Sequence, residues 1–458
     1  MQSLFQWYLI LRPESPIIFM NRTIPLLLIV FLSASCTTSG PKLFKKQSPH
    51  EQYAARIESA GLRNTTLGRL WFAAADAGML GLSTIKLPFR ETGYFPADNP
   101  EASGWRFSAK RGEKLSIQLT KKPLSDFILY LELFEVPEKS GDRPKLLVSA
   151  DTSGRMDFYE VKKDAQYILR LQPELLRGGE YTITIGNGPS IAYPLQTTGN
   201  NHIQSFWGDA RDRGTRKHEG IDLFAPFRTP VVAAANGFIT RVQETEIGGK
   251  VIWLRPSEKD YSLYYAHLDS QTVQEGSQVK TGDIIGLMGT TGNARNTAPH
   301  LHFGIYGRGG AIDPFPFVNP EVKSPLPVKG NVKLLDKWIR QEGVPGKLYF
   351  APDIKESNIP IQPNTVFKNK AAIANWYRVM LPDGTTGFIL IDKSNSLTVP
   401  LRQLKLNVET AIFDNPDTLA ARKTIFPAGA MLDVLGNWKE FYYVKNENNL
   451  YGWIKKKN

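Results

Sequence analysis

The chain has 458 residues, of which 41% are hydrophobic and 22% charged, with a formal net charge of +12 and a single cysteine. That length calls for several compact units, and the balance of apolar and charged residues excludes a fibrous or largely disordered chain. One cysteine excludes a disulfide framework and any multi-thiolate metal site. The positive charge favours a polyanionic partner, but no zinc-finger, RNP or helix-turn-helix pattern accompanies it and Lys455 to Lys457 reads as a solvated tail, so nucleic acid is not an expected partner.

Met20-Asn21-Arg22 opens a segment whose stretch Ile24 to Leu32 is apolar, followed by the small residues Ser33-Ala34-Ser35 and then Cys36. This charged, apolar, small-residue order is that of an export signal, which closes an export segment 1–36, and its apolar core is too short for a permanent membrane-spanning helix. The segment resembles a bacterial lipoprotein signal. The resemblance implies that Cys36 becomes the lipid-bearing first residue and that the protein is exported and held to a membrane of the cell envelope, on the outer-membrane or periplasmic side; the apolar patch Leu4 to Leu11 and Pro13 ahead of the better-formed signal make Met20 the expected native start. The alternative is an incidental cysteine after a signal cleaved elsewhere, and export follows from either. Residues 37–50, with Thr, Ser, Gly, Pro and Lys, read as a tether, and His50 within it has no expected role.

Between Glu51 and Leu82 the apolar and alanine spacing predicts two short helices broken near Gly61, within a helical segment 51–90. From about Gly93 to Pro194 the pattern turns to alternation, in Leu115 to Leu119, Leu129 to Val136, Tyr167 to Leu171 and Tyr181 to Ile185. Each run is bounded by turn-forming residues, as half-buried antiparallel strands are. A β-sandwich over 91–195 is expected, and it resembles the pre-peptidase type found beside secreted proteases.

Residues 196–318 hold the chemistry-bearing motifs. The chain has six histidines, and five of them fall between His202 and His302. In His218-Glu219-Gly220-Ile221-Asp222 the first and last side chains share a face of an ideal strand but lie roughly 13 Å apart, so one ion can join them only across a bend, for which Gly220 is the natural place. An imidazole and a carboxylate suit Zn²⁺, and with Glu219 pointing away this is not an HExxH helix. In Pro299-His300-Leu301-His302-Phe303 two imidazoles alternate with apolar residues and share one strand face. His267 closes the β-prone run Leu263-Tyr264-Tyr265-Ala266-His267-Leu268, while His202, ahead of these motifs, has no expected role.

These strings, with Ser205-Phe206-Trp207-Gly208 before them and Gly276-Ser277-Gln278-Val279 through Gly282-Asp283-Ile284-Ile285-Gly286 between, resemble the lysostaphin/LytM-type (M23) metallopeptidases in order, spacing and intervening glycines. By that resemblance His218, Asp222 and His302 ligate one zinc ion and leave a fourth position open, and His267 and His300 are unligated partners of the reaction. It also implies a grooved antiparallel β-sheet domain that acts on peptidoglycan. The chain departs from the family in Asn296-Thr297-Ala298 before Pro299, where a more glycine- and serine-rich approach is usual.

Residues 319–345 read as a proline-rich linker around a short helix near Val332 to Glu342. Beyond it, Trp376-Tyr377-Arg378-Val379 and Gly387-Phe388-Ile389 recur as Phe441-Tyr442-Tyr443-Val444 and Gly452-Trp453-Ile454, an offset of 65 (441 − 376 and 452 − 387). A shared spacing argues for duplication, each copy an aromatic hairpin, over 346–398 and 399–458. The pair resembles tandem bacterial SH3-like barrels, which implies docking onto cell-wall peptides.

The expected architecture is therefore mainly β: an antiparallel M23-type metallopeptidase domain, preceded by a short helical segment and a β-sandwich and followed by two small SH3-like barrels. The expected activity is zinc-dependent hydrolysis of peptide cross-links in bacterial peptidoglycan. Two alternatives stand beside it: a catalytically silent wall-binding adaptor that activates other wall hydrolases, and a protease acting on an exported protein.

Overall fold

In a computed structural model of the chain the described residues are 47–80, 83–123, 127–139, 141–151, 153–156, 158–197 and 202–456. The export segment, Cys36 and the tether as far as residue 46 lie outside them. Among the described residues no helix is long and apolar enough to cross a membrane.

Two helices, Pro49–Ser59 and Thr66–Leu80, flank a turn in which Gly61 takes a left-handed conformation (φ 72°). The first begins earlier than a tether ending at residue 50 allows. Ser48 and Glu51 form a capping box around Pro49, satisfying backbone donors at the helix start. His50 is correspondingly not idle. It is buried, stacks on Trp71 with ring centroids 4.8 Å apart, and its Nε2 lies 2.8 Å from Gln172 Oε1.

The expected strand runs correspond to strands Glu113–Lys122, Leu129–Glu135, Ala165–Pro173 and Gly179–Pro189, the second ending one residue short of Val136. They divide between two sheets. One has five strands in the order Ser83–Thr84, Ser103–Ala109, Ala165–Pro173, Leu129–Glu135, Lys145–Ser149. Trp105, Phe107, Leu131 and Leu169 from it bury their side chains together with Leu115, Ile183 and Ile185 from the other sheet.

The second sheet does not stop at the sandwich. Its strand Phe89–Phe95 pairs on one side with Gly179–Pro189 and on the other with Val366–Ile373, aligning Thr92 with Ala372 and Gly93 with Ala371. The sheet thus runs on into the first C-terminal repeat, giving eleven strands. Ile373, Trp376 and Phe388 of that repeat enter the sandwich core, a union across distant stretches of chain that local periodicity does not encode. The helix expected near 332–342 is absent. A single 3-10 turn, Val332–Leu334, precedes strand Trp338–Gln341, which pairs with Val366–Ile373; its Ile339 is buried in the repeat's core.

The two C-terminal hairpins share one register. Val379 faces Gly387 as Val444 faces Gly452, and Tyr377 faces Ile389 as Tyr442 faces Ile454. The second belongs to a separate six-stranded sheet.

Between sandwich and repeats along the chain comes a ten-stranded sheet whose central order is Ile203–Ser205, Ile221–Phe224, His300–Gly307, Tyr261–Gln271, Gly249–Pro256, Gly237–Thr245. Its core, including Ile221, Leu223, Leu263, Tyr265, Leu301 and Phe303, fills one face and leaves the other for the site. Phe317, at the end of this unit, seats its ring against Gly112 of the sandwich so closely that a Cβ there would stand 2.2 Å from it.

Candidate metal centre

Strands Ile221–Phe224 and His300–Gly307 run antiparallel, with Asp222 opposite His302 and Phe224 opposite His300. Side chains directly opposite in such a pair project from the same face. The intervening Leu223 and Leu301 go into the core, so alternation alone puts Asp222 and His302 together on the open side.

His218 precedes the strand, and the chain bends between it and Asp222 as the sequence requires. Gly220 makes room for this bend. A Cβ there would stand 2.6 Å from both His302 Cε1 and the Phe303 carbonyl oxygen. The result is a nearly equilateral triangle in which His218 Nε2, Asp222 Oδ1 and His302 Nδ1 are each 3.0 Å from the other two. Zinc with bonds of about 2.0–2.2 Å in tetrahedral geometry sets its ligand atoms about 3.3–3.6 Å apart, so these three fit one such ion with little adjustment. They also form a group of metal-ligating side chains compact enough to hold an ion.

The surroundings prepare these atoms for a cation. His218 Nδ1 donates to the Phe206 carbonyl at 2.9 Å, which places its proton away from the site and leaves the Nε2 lone pair facing the other two. Burial raises the Asp222 carboxyl, but in the metal-free protein its contacts with the His218 and His302 imidazoles, 3.0 Å away, outweigh that and hold it well below the usual carboxylate range. Burial lowers the His302 imidazole, favouring the neutral form that can ligate.

His267 reaches the same face by a different device. Strict alternation would send it to the core side with Tyr265. Instead the pairing with the neighbouring strand slips by one residue between Ile252↔Tyr265 and Lys250↔Leu268, a β-bulge in which His267 takes φ 63°. The bulge turns both Ala266 and His267 toward the cleft, while Leu268 returns to the core. The His267 amide donates to the Gly248 carbonyl at 2.8 Å, and its Nδ1 donates to the Thr291 carbonyl at 3.0 Å. Burial, then His300 and His302, push this imidazole down to about 4.

His300 stacks on Phe224 with ring centroids 4.9 Å apart, and its Nδ1 donates to the Ala298 carbonyl at 2.9 Å. The His267 and His300 rings lie 4.9 Å apart. Both therefore carry their proton on Nδ1 and offer Nε2 as an acceptor. All five expected site residues line a single cleft of about 700 Å³. His202 lies apart from them, with Nδ1 on the Phe224 carbonyl at 2.8 Å.

Two features escape sequence reading. Trp253, Tyr264 and Tyr306 form an aromatic wall of the cleft, with centroids 4.6 to 5.9 Å apart. Their signal was alternation with core residues, which marks a face but not its use. Arg211, whose Nη2 lies 2.5 Å from Asp222 Oδ2, belongs to a basic stretch with no distinguishing spacing.

A model of peptidase family M23 matches residues 216–314, the stretch that supplies the triangle and both further imidazoles. This segment is an M23 peptidase domain. Over 137 residues the chain is 34% identical to an L-Ala-D-Glu endopeptidase of Bacillus subtilis (strain 168), covering 27% of this chain and 42% of that protein. It is 38% identical over 88 residues to the peptidoglycan DD-endopeptidase ShyC of Vibrio cholerae serotype O1, covering 19% of this chain and 20% of ShyC. Among solved structures, the catalytic domain of lysostaphin from Staphylococcus simulans matches at 35% identity over 26% of this chain and 92% of that one, with a TM-score of 0.24. The chain thus spans less than half the length of these two curated relatives.

Proposed function

We propose that this protein is a zinc-dependent endopeptidase that hydrolyses peptide cross-links of bacterial peptidoglycan. The observation that carries the reading is the triangle of His218 Nε2, Asp222 Oδ1 and His302 Nδ1 beside two further imidazoles in one open cleft. In this reading His218, Asp222 and His302 hold the ion. Zinc, when bound, supplies a Lewis acid that polarises the scissile carbonyl and makes water a nucleophile at neutral pH.

The rest of the chemistry falls to protein side chains. His267 and His300, with Nδ1 tied to carbonyl oxygens, present Nε2 to the cleft. Between them they take the proton of the attacking water and return one to the departing amine, while their fixed orientation removes the need to find it during reaction. The aromatic wall of Trp253, Tyr264 and Tyr306 orients the peptide and reduces water access on one side.

Location and targeting complete the proposal. The protein acts in the cell envelope, held to a membrane through lipidated Cys36, and the C-terminal SH3-like repeats with the excess of positive charge keep it on the polymer. Support comes from the relatives named as endopeptidases, one of them for peptidoglycan, and from the signal-like order ahead of Cys36.

The deciding experiment is digestion of purified peptidoglycan by the whole protein, with mass spectrometry of the released fragments. Newly freed amine and carboxyl ends at peptide cross-links are expected, and both a chelator and His302→Ala should abolish them. Release that persists under chelation would remove the zinc mechanism; cleavage confined to a protein substrate would remove the wall assignment.

A further inference from the structure

Arg211 is the one guanidinium found against a ligand of the proposed metal centre among the contacts described. It ends the short strand Ala210–Arg211, which pairs with Arg216–Lys217 in a hairpin whose turn places Arg213 at φ 60°. From there its Nη2 donates to Asp222 Oδ2 at 2.5 Å and to Ser205 Oγ at 2.6 Å. Ser205 Oγ in turn donates to Asp209 Oδ2 at 3.0 Å and lies 3.3 Å from His218 Nδ1. One cation thus touches the carboxylate of the triangle directly and reaches one of its imidazoles through a hydroxyl.

We propose that Arg211 is a positioning residue for the metal centre: it holds Oδ2 of Asp222 so that Oδ1 alone is offered to the ion, and through Ser205 it steadies His218. The proposal rests on the zinc reading given above. A carboxylate has two equivalent oxygens and rotates freely unless one is engaged. A charge-assisted bond to Oδ2 fixes the plane of the group and selects the other oxygen. Groups that orient metal ligands in this way change metal affinity by about 10- to 100-fold when removed. Arg211 itself need not touch substrate, and its side chain is partly solvent-exposed, so its loss leaves no cavity in the core.

The test is zinc affinity of the whole protein, measured by competition with a chromophoric chelator, for the parent, Arg211→Ala and Arg211→Lys. Arg211→Ala should raise the zinc dissociation constant by about 10- to 100-fold, Arg211→Lys should fall between, and peptide hydrolysis by Arg211→Ala should recover at saturating zinc. Any fall in the metal-free unfolding temperature of Arg211→Ala should be reversed in Arg211→Lys, which keeps the cation beside Asp222. Equal affinity in all three proteins overturns the proposal. So does a weakened Arg211→Ala whose metal-free unfolding temperature has dropped and which Lys does not improve, since that assigns the residue to loop folding. A parent chain that takes up no zinc defeats the metal reading itself and this inference with it.

Discussion

Glu91 and Arg378, 287 positions apart, form a two-pronged ion pair at 2.8 and 3.2 Å with the glutamate fully buried. Tyr181 adds a hydrogen bond to the same carboxylate at 2.7 Å, and Ser103 meets Arg378 at 3.1 Å. The sandwich and the first C-terminal repeat are joined here by charge as well as by the shared sheet. Arg378→Met removes one partner and leaves Glu91 buried without its cation, which costs about 3–5 kcal/mol. Urea unfolding should show that loss, with both regions melting in one transition. The double variant Glu91→Gln/Arg378→Met should lose less than the sum of the single losses.

His267→Ala and His300→Ala should each retain stoichiometric zinc while losing about 10²- to 10⁴-fold in kcat, because neither imidazole belongs to the triangle. Elemental analysis beside turnover measurements separates them from His218→Ala, which should lose both metal and activity. A His267→Ala protein that binds no zinc would mean that the roles are wrongly divided.

Gly220→Ala should injure the metal site more than the fold. Its new methyl must displace either the His302 ring or the Phe303 carbonyl, each 2.6 Å away, and the ring is the softer of the two. Overpacking of this kind costs about 1–3 kcal/mol, so the variant should fold, with weakened zinc retention on dialysis.

The pH dependence of the metal-free protein follows from His267. Its imidazole sits at about 4 in the folded state against an ordinary 6.5, first through burial and then through His300 and His302. Between those values the unfolded chain binds more protons, so stability rises with pH there. The contribution is complete above pH 6.5 and is lost as pH falls toward about 4. His50 and His302, also lowered by burial, act in the same direction. The urea midpoint should fall across this window, and His267→Asn should make the fall shallower; an unchanged slope in that variant would sink the assignment.

The site was legible because its residues obey short-range rules. Asp222 and His302 sit at alternating positions of strands, Gly220 stands where a bend is needed, and the apolar neighbours Leu223 and Leu301 mark the buried face. His267 was legible only by resemblance, since alternation gives the wrong face and the bulge that corrects it is a property of pairing with Gly249–Pro256. Arg211 was not legible, because nothing local distinguishes it from other surface arginines. In the fold, the strands of the sandwich and the two hairpins announced themselves by alternation. The joining of Phe89–Phe95 to Val366–Ile373 did not, because strand partners hundreds of residues apart leave no periodic trace in either segment. Around Val332 to Glu342 the expected helix gives way to a 3-10 turn and a strand that buries Ile339 in the core of the first repeat.

That long-range joining bears on how the protein can be dissected. A fragment ending after the M23 domain would leave the backbone donors and acceptors along one side of Phe89–Phe95 unmatched, next to apolar side chains normally capped by Trp376 and Phe388. Such a margin invites self-association between copies. Truncations at residue 318 are therefore expected to elute as aggregates, even with the ten-stranded sheet intact, and loss of any activity in them would report stickiness rather than a missing targeting element.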